Sequence, residues 1–228
     1  MRQSKIVLFL LICFISCKVD EKESSKKQEK KIAHSLSDTI FVDDEGVDTI
    51  KAYSYNLKNK YKLTIFPAWD NDKKVIKFRL LKDQKENVYS LNDIFVAKYS
   101  KKYNNIDFEK YFALHSNGGG TSKFYFWLYD KETGKECLTG IERDFDLKNE
   151  LILYEDEDDQ YKLFVFDVNT KIKTLVEIPQ SFMNKQECTK YGNALDNLVI
   201  NKVSNDYYYF GFGDFCPSIA VFKVKKGS

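Results

Sequence analysis

Histidine is scarce in this chain: His34 and His115 are the only two among 228 residues. A metal cage or proton relay assembled from several imidazoles is therefore excluded. Cysteine is nearly as sparse, five in all, and no two stand in the Cys-x-x-Cys spacing of a structural zinc site. An excess of one charge is also missing, since 36 Lys and Arg face 34 Asp and Glu for a formal charge of +2. Without a basic excess to displace phosphate counterions, nucleic acid is set aside as a partner. Only three prolines interrupt a chain that carries 15 Tyr and 18 Phe, a composition suited to a folded core and not to disorder.

The apolar run at residues 6–16 is too short to serve as a membrane span, because a helix rises 1.5 Å per residue and the hydrocarbon core is about 30 Å thick. Arg2 and Lys5 precede it and a small residue ends it, which is the anatomy of a secretory signal. Its exit, Phe14-Ile15-Ser16-Cys17, resembles the lipobox of bacterial lipoproteins, with Phe14 where a smaller aliphatic residue is usual. The resemblance implies cleavage before Cys17 and lipidation of Cys17, which would then anchor the protein to a membrane. Two or more acyl chains, at about 0.8 kcal/mol per buried methylene, hold such a protein stably where a single chain does not. Lys18, with acidic residues soon behind it, resembles lipoproteins sent to an outer membrane, with the domain in the periplasm or at the cell surface. The other reading is an ordinary cleaved signal with an incidental cysteine.

This division gives a signal peptide over 1–16, a tether over 17–31 and a single β-rich domain over 32–228. The tether (KVDEKESSKKQEKK after Cys17) has Val19 as its one apolar residue and cannot offset its ordering entropy by burial. Loss of Arg2 and Lys5 leaves the mature chain near neutrality. Of the remaining cysteines, Cys188 and Cys216 flank a candidate hairpin and form the favoured disulfide, worth about 3–4 kcal/mol through loop closure. Pairing of either with Cys137, or three buried thiols, are the alternatives.

Strand signals dominate from Ile32 onward. Val47–Tyr55, Tyr61–Phe66, Lys74–Leu81, Phe124–Tyr129, Leu151–Tyr154, Tyr161–Asp167, Leu198–Val203 and Tyr207–Gly213 are rich in β-branched and aromatic residues between turn-like clusters. Pro67 to Asp72 reads as one such turn and carries Trp69. Phe108, Tyr111, Phe112 and His115 fall at i, i+3, i+4 and i+7, which predicts a short helix over 103–115 with Asn105 as its N-cap. A second short helix is expected within Ser181–Lys190. Asp130 and Asp167 each begin an Asp-x-x-Thr turn with Leu eight residues after the Asp, and Asp83 repeats that outer spacing before Leu91. The Asp and Thr oxygens can accept from turn amides, and Gly134 can take a positive φ. The expected class is all-β, mostly an antiparallel meander folded as a sandwich or barrel, with a small β-propeller as the alternative.

Chemistry-bearing candidates are few. His115-Ser116 opens the glycine-rich stretch 118–120 and could be imagined as the base and nucleophile of a hydrolase, or simply as part of a connector. Glu155 to Asp159 sets five carboxylates on one hairpin tip, where Asp156, Asp158 and Asp159 could share a Ca²⁺ or stand solvated. Strand alternation in Tyr207–Gly213 sends Tyr208, Phe210 and Phe212 to one face and Tyr207 and Tyr209 to the other. Tyr207, Tyr209 and Trp69 are then candidates for a sugar ring or a protein partner. The favoured function is a non-enzymatic, membrane-anchored binding domain that captures a glycan, braces an envelope complex or neutralises a toxin. The alternative is an envelope hydrolase using His115 or a carboxylate pair. The lipid-anchor reading predicts that the full chain incorporates radiolabelled palmitate and pellets with membranes. Cys17→Ser should lose both, and undiminished labelling of that variant would refute the assignment.

Overall fold

Hairpin closure by aspartate sets the architecture. Asp130 Oδ1 accepts from the amides of Glu132 at 3.0 Å and Thr133 at 2.7 Å, and Asp167 Oδ1 from Asn169 at 2.9 Å and Thr170 at 3.0 Å, as the sequence spacing predicts. The same arrangement recurs at Asp146, with Lys148 and Asn149, and at Asp156, with Asp158 and Asp159. Each carboxylate satisfies amides that a tight turn leaves without a partner. A residue of positive φ completes each turn: Gly134 at 64°, Glu150 at 53°, Gln160 at 55° and Lys171 at 61°.

A computed structural model describes residues 40–93, 100–117, 123–183, 194–212 and 221–227, all within a unit that runs from Ser35 to Ser228. The signal, Cys17, the tether, the glycines at 118–120 and both Cys188 and Cys216 lie outside these residues. The described strands are antiparallel and fall into four sheets. A two-stranded ribbon pairs β1 (Phe41–Val42) with β2 (Thr49–Ile50). A four-stranded meander follows, with β3 (Tyr53–Asn56), β4 (Tyr61–Asp70), β5 (Lys73–Lys82) and β6 (Lys85–Asp93). The central sheet is a seven-stranded meander of β7 (Lys102–Asp107), β8 (Tyr111–Asn117), β9 (Phe124–Asp130), β10 (Glu136–Asp146), β11 (Leu151–Asp156), β12 (Lys162–Asp167) and β13 (Lys173–Leu175). A three-stranded sheet ends the chain with β14 (Val199–Val203), β15 (Tyr207–Gly211) and β16 (Phe222–Lys225). One short helix, α1 (Gln180–Met183), lies within the described residues and begins the second expected helix, whose remainder falls outside them. The meander expectation therefore holds. No closed barrel is present among the described residues, and the unequal sheets are not propeller blades.

Two local expectations are corrected. The helix over 103–115 is instead the β7–β8 hairpin, in which Tyr103 pairs with Leu114 and Asp107 with Phe112. Tyr111 to Ser116 is buried at every position, so both faces of β8 carry apolar side chains and the helical spacing is coincidental. Asn105 takes φ 57° within β7, at an irregularity in the pairing, and caps no helix. The turn expected at Pro67–Asp72 contracts to Asn71-Asp72, both of positive φ, and β4 continues through Pro67 to Asp70. Pro67 lies beyond the stretch of β4 that pairs with β3, where a missing N–H costs no ladder bond.

Alternation divides the central sheet into two apolar faces. Phe112 and Leu114 pack with Leu63, Phe78 and Leu80 of the four-stranded sheet. Leu151, Leu153, Leu163 and Val165, on the same face further along, pack with Tyr208, Phe210 and Phe222 of the three-stranded sheet and with Phe182 of α1. The opposite face turns inward on itself, joining Phe108, Tyr111, Phe126, Leu128, Ile152, Tyr154 and Phe164. That inward roll is made at β10, which pairs with β9 over Glu136–Ile141 and with β11 over Ile141–Asp146. Gly140 stands at the bend because a Cβ there would lie 2.5 Å from the Tyr154 ring and 2.8 Å from the Glu155 carbonyl. Beyond the bend, Asp144 Oδ2 accepts from the Ile200 amide at 2.8 Å, and the Arg143 guanidinium joins Glu155, at 2.9 Å, to Asp196. These contacts tie the three-stranded sheet to the central one.

The rolled sheet is stitched at the β7–β8 tip. Lys131 is 1% exposed, and its Nζ reaches Asp107 Oδ1 at 2.6 Å, the Phe108 carbonyl at 2.6 Å and the Glu109 carbonyl at 3.3 Å. Burial pushes the ammonium below its ordinary range and the Asp107 carboxylate draws it back up. The Lys58 amide donates to Asp107 Oδ2 at 2.6 Å, Asn59 donates to the Glu109 carbonyl at 2.8 Å, and the Glu109 amide donates to Glu150 Oε1 at 2.6 Å. Removing one member of such a buried pair leaves the other charge uncompensated. Lys131→Met should lower the urea-unfolding free energy by about 3 kcal/mol. A loss below about 0.5 kcal/mol, the range of an ordinary surface substitution, would show that the tip does not depend on this ammonium.

Candidate functional site

The β1–β2 ribbon, the four-stranded sheet and the start of β7 meet around a groove of about 370 Å³. Its floor comes from Ile50, Ile65, Phe66 and Ile76, whose side chains are otherwise spent on the core. Local turn chemistry brings Ile50 there. Asp43 Oδ1 accepts from the amides of Val47 at 3.0 Å and Asp48 at 3.3 Å, and Gly46 takes φ 71°, so the chain reverses and returns β2 beside β1. One wall is aromatic: the Tyr55 and Tyr103 rings pack at 4.7 Å, and Tyr53 stands largely exposed beside them. Among the described residues, Lys51, Lys101 and Lys102 line the groove with a single carboxylate, Asp48.

The three lysines are not equivalent. Lys101 Nζ lies 4.2 Å from the Trp127 ring centre, 2.9 Å from the Tyr129 hydroxyl and 3.5 Å from Glu136 Oε2. Burial holds its ammonium below the usual range, and Glu136 opposes that shift. The Tyr129 hydroxyl, which donates to Glu136 at 3.1 Å, is pushed far up by burial and by that carboxylate. Lys51 and Lys102 are exposed and have no carboxylate partner among the described residues. Lys51 Nζ sits 5.9 Å over the Tyr53 ring.

The residues singled out from sequence do not gather in one place. Trp69 is 58% exposed on β4, against Phe41 with ring centres 5.0 Å apart, and does not line the groove. The alternation expected of Tyr207–Phe212 is present: Tyr208, Phe210 and Phe212 are buried while Tyr207 and Tyr209 are half-buried on the other face. Those two rings lie 6.5 Å apart, with Lys223 over Tyr207 and Lys202 over Tyr209. Phe124 is 49% exposed at the start of β9.

At the acidic tip, Asp156 faces Lys173 at 2.5 Å and Asp159 faces Lys162 at 2.8 Å, while Glu155 turns inward to Arg143. Asp158 gives its amide to Asp156. Lys173 holds Asp156 below the usual carboxylate range. Among the described residues no three His, Cys, Asp or Glu side chains converge as a metal-binding group. Cys137 is a free, exposed thiol.

His115 lies in β8 and not on a loop. Strand alternation turns it toward the inner face, opposite Phe126, and turns the Ser116 side chain the other way. The imidazole Nδ1 bonds instead to Glu142, and the ring rests edge-on against Phe145. Its Nε2 is buried and has no hydrogen-bond partner among the described residues. Sequence reasoning missed this pair and the groove alike, since both join segments far apart along the chain. The Lys-Ala-Tyr-Ser-Tyr run at 51–55 was the one available signal.

Desolvation, with help from Asp107 and Tyr55, raises the Tyr103 hydroxyl from an ordinary value of 10.0 to about 12. The folded protein therefore holds this proton more tightly than the unfolded chain. Its contribution to stability is complete below pH 10 and is lost as pH rises toward about 12. Tyr103→Phe should flatten that part of the alkaline stability profile and remove one late step from the phenolate absorbance titration. An unchanged late step would show that the wall is open to water. Compared with family models, with curated proteins and with solved structures, the chain has no match in any of the three.

Proposed function

We propose that this protein is a lipid-anchored envelope protein whose β-rich domain binds a ligand without chemically changing it. The observation that carries the reading is the groove of about 370 Å³ between the first ribbon, the four-stranded sheet and β7. It joins an apolar floor to tyrosines and to the exposed Lys51, which has no carboxylate partner among the described residues, and it falls within the size of specific ligand sites. The lipobox-like Phe14-Ile15-Ser16-Cys17 supports attachment to a membrane through Cys17, with an outer membrane favoured. The charged stretch after it supports a domain held off the lipid surface, in the periplasm or outside the cell. The ligand is a glycan or a protein segment, and a protective, toxin-neutralising role belongs to the same class.

A hydrolytic role for His115 has less support. The imidazole Nε2 that would meet a substrate is buried, and the neighbouring hydroxyl of Ser116 faces away. Ca²⁺ at Asp156, Asp158 and Asp159 is likewise the weaker reading, because lysines already neutralise two of the three. The test is affinity capture with the detergent-solubilised full chain from envelope extract and culture medium, read by mass spectrometry and by a glycan array. The expected result is one ligand class retained by the native chain and lost by the double variant Lys51→Gln, Tyr53→Ala. Equal retention by both proteins, or capture of nothing, would refute the groove as the binding site.

A further inference from the structure

We infer that the outer face of the three-stranded sheet docks on a bilayer surface rich in anionic phospholipid. This rests on the membrane attachment proposed above and adds which side of the domain meets the headgroups. Register fixes the composition of that face. Tyr207 and Tyr209 alternate with the buried Tyr208 and Phe210 along β15. Across the ladder, Tyr209 lies between Lys202 of β14 and Lys223 of β16, and Tyr207 pairs with Lys225. Cross-strand partners share a face, so three lysines and two tyrosines stand together on the side away from the core. Ring contacts agree: Lys223 Nζ lies 4.5 Å from the Tyr207 ring centre, and Lys202 Nζ 5.7 Å from that of Tyr209. All three lysines are exposed.

Charge selects the partner. The strands β14, β15 and β16 contain no Asp or Glu, although the chain carries 34. Exposed lysines elsewhere are countered, Lys58 by Glu109, Lys162 by Asp159 and Lys173 by Asp156. Carboxylates border the face without neutralising it. Asp144 and Asp146, in the cleft beside Lys202, accept from backbone amides. Glu177 shares a cleft with Lys223, and Asp206 lies in the turn before β15, but neither forms an ion pair with Lys202 or Lys223. Because the whole chain is nearly neutral, this patch and not the net charge turns the domain toward an anionic plane. The side chains suit a headgroup layer in particular. Tyrosine rings and lysine stems offer apolar bodies, while hydroxyls and ammonium groups reach the phosphates. A tether after Cys17 that spans at most ~50 Å lets the domain stand off the lipid or turn back to it, so the domain's own surface decides which side settles.

The experiment reconstitutes the full chain into vesicles of phosphatidylcholine alone, or of phosphatidylcholine with phosphatidylglycerol, and reads lysine acetylation by mass spectrometry. Lys202, Lys223 and Lys225 should react about fivefold more slowly on the anionic vesicles. High salt should remove the difference. Lys62, exposed on β4, should react alike on both. In chains carrying Cys17→Ser, flotation with anionic vesicles should fall about fivefold with Lys202→Gln and again with Lys223→Gln, and not with Lys62→Gln. The apolar run at residues 6–16 is common to these variants, so the differences read the face alone. Equal acetylation on both vesicles, or flotation unaltered by the two face substitutions, would overturn the inference. Equal protection by inorganic phosphate or by dextran sulfate without vesicles would also overturn it, in favour of a free anion or an acidic polymer. Failure of the native chain to float with phosphatidylcholine would remove the anchor and leave the face to be judged on the anionic vesicles. Flotation there without selective protection on the anionic vesicles would keep the anchor and remove the face.

Discussion

The Lys131 ammonium is buried where three turns meet, and the rolled shape of the central sheet depends on it. Its Nζ donates to the carbonyls of Phe108 and Glu109 and pairs ionically with the Asp107 carboxylate at 2.6 Å. Moving such an ion out of water costs several kcal/mol, which is offset only when geometry and hydrogen bonding are nearly complete. Here they are, and the same tip also receives Lys58 and Asn59 from the four-stranded sheet and Glu150 from the β10–β11 turn. One turn of backbone thus joins the first strands and the middle of the seven-stranded meander to the neighbouring four-stranded sheet.

Holding that tip in place has consequences for packing. The central sheet must bend at β10, where Gly140 lets Tyr154 approach and the ladder passes from β9 to β11. Its inner face then closes on itself around Phe126, Tyr154 and Phe164, leaving the outer face to two smaller sheets. The His115–Glu142 pair lies on the inner side of this roll, with the imidazole buried and the carboxylate partly exposed. The groove lies on the other side, where β7 leaves the central sheet and the ribbon reaches across the four-stranded one. The groove proposed for recognition therefore sits at a junction of elements, whereas the only imidazole among the described residues serves the interior.

Turn chemistry was legible in the sequence because it is local. An aspartate followed two or three residues later by amides without partners, then by a residue able to take positive φ, closes a hairpin wherever it occurs, and Asp130 and Asp167 were readable on that basis. Alternation from Tyr207 to Phe212 was legible for the same reason, since one face of β15 is buried and the other is not. The stretch 103–115 was misread because β8 is buried on both faces, so its apolar run carries no period and a helical spacing arises by chance. Trp69 was assigned to a turn because Pro67 looks like a strand breaker, and only the missing β3 neighbour at that level makes it harmless.

By itself, then, the sequence determined the all-β class, the hairpin turns at Asp130 and Asp167, the near-neutral charge and the scarcity of imidazole. These follow from composition or from contacts within a few residues, which no tertiary arrangement can alter. The tertiary structure alone decided the Lys131 hub, the union of His115 with Glu142 and the groove that joins residues near 50, 65, 76 and 101. Each of these depends on pairing between distant segments, and that pairing is fixed by how the rolled sheet buries its two apolar faces at once.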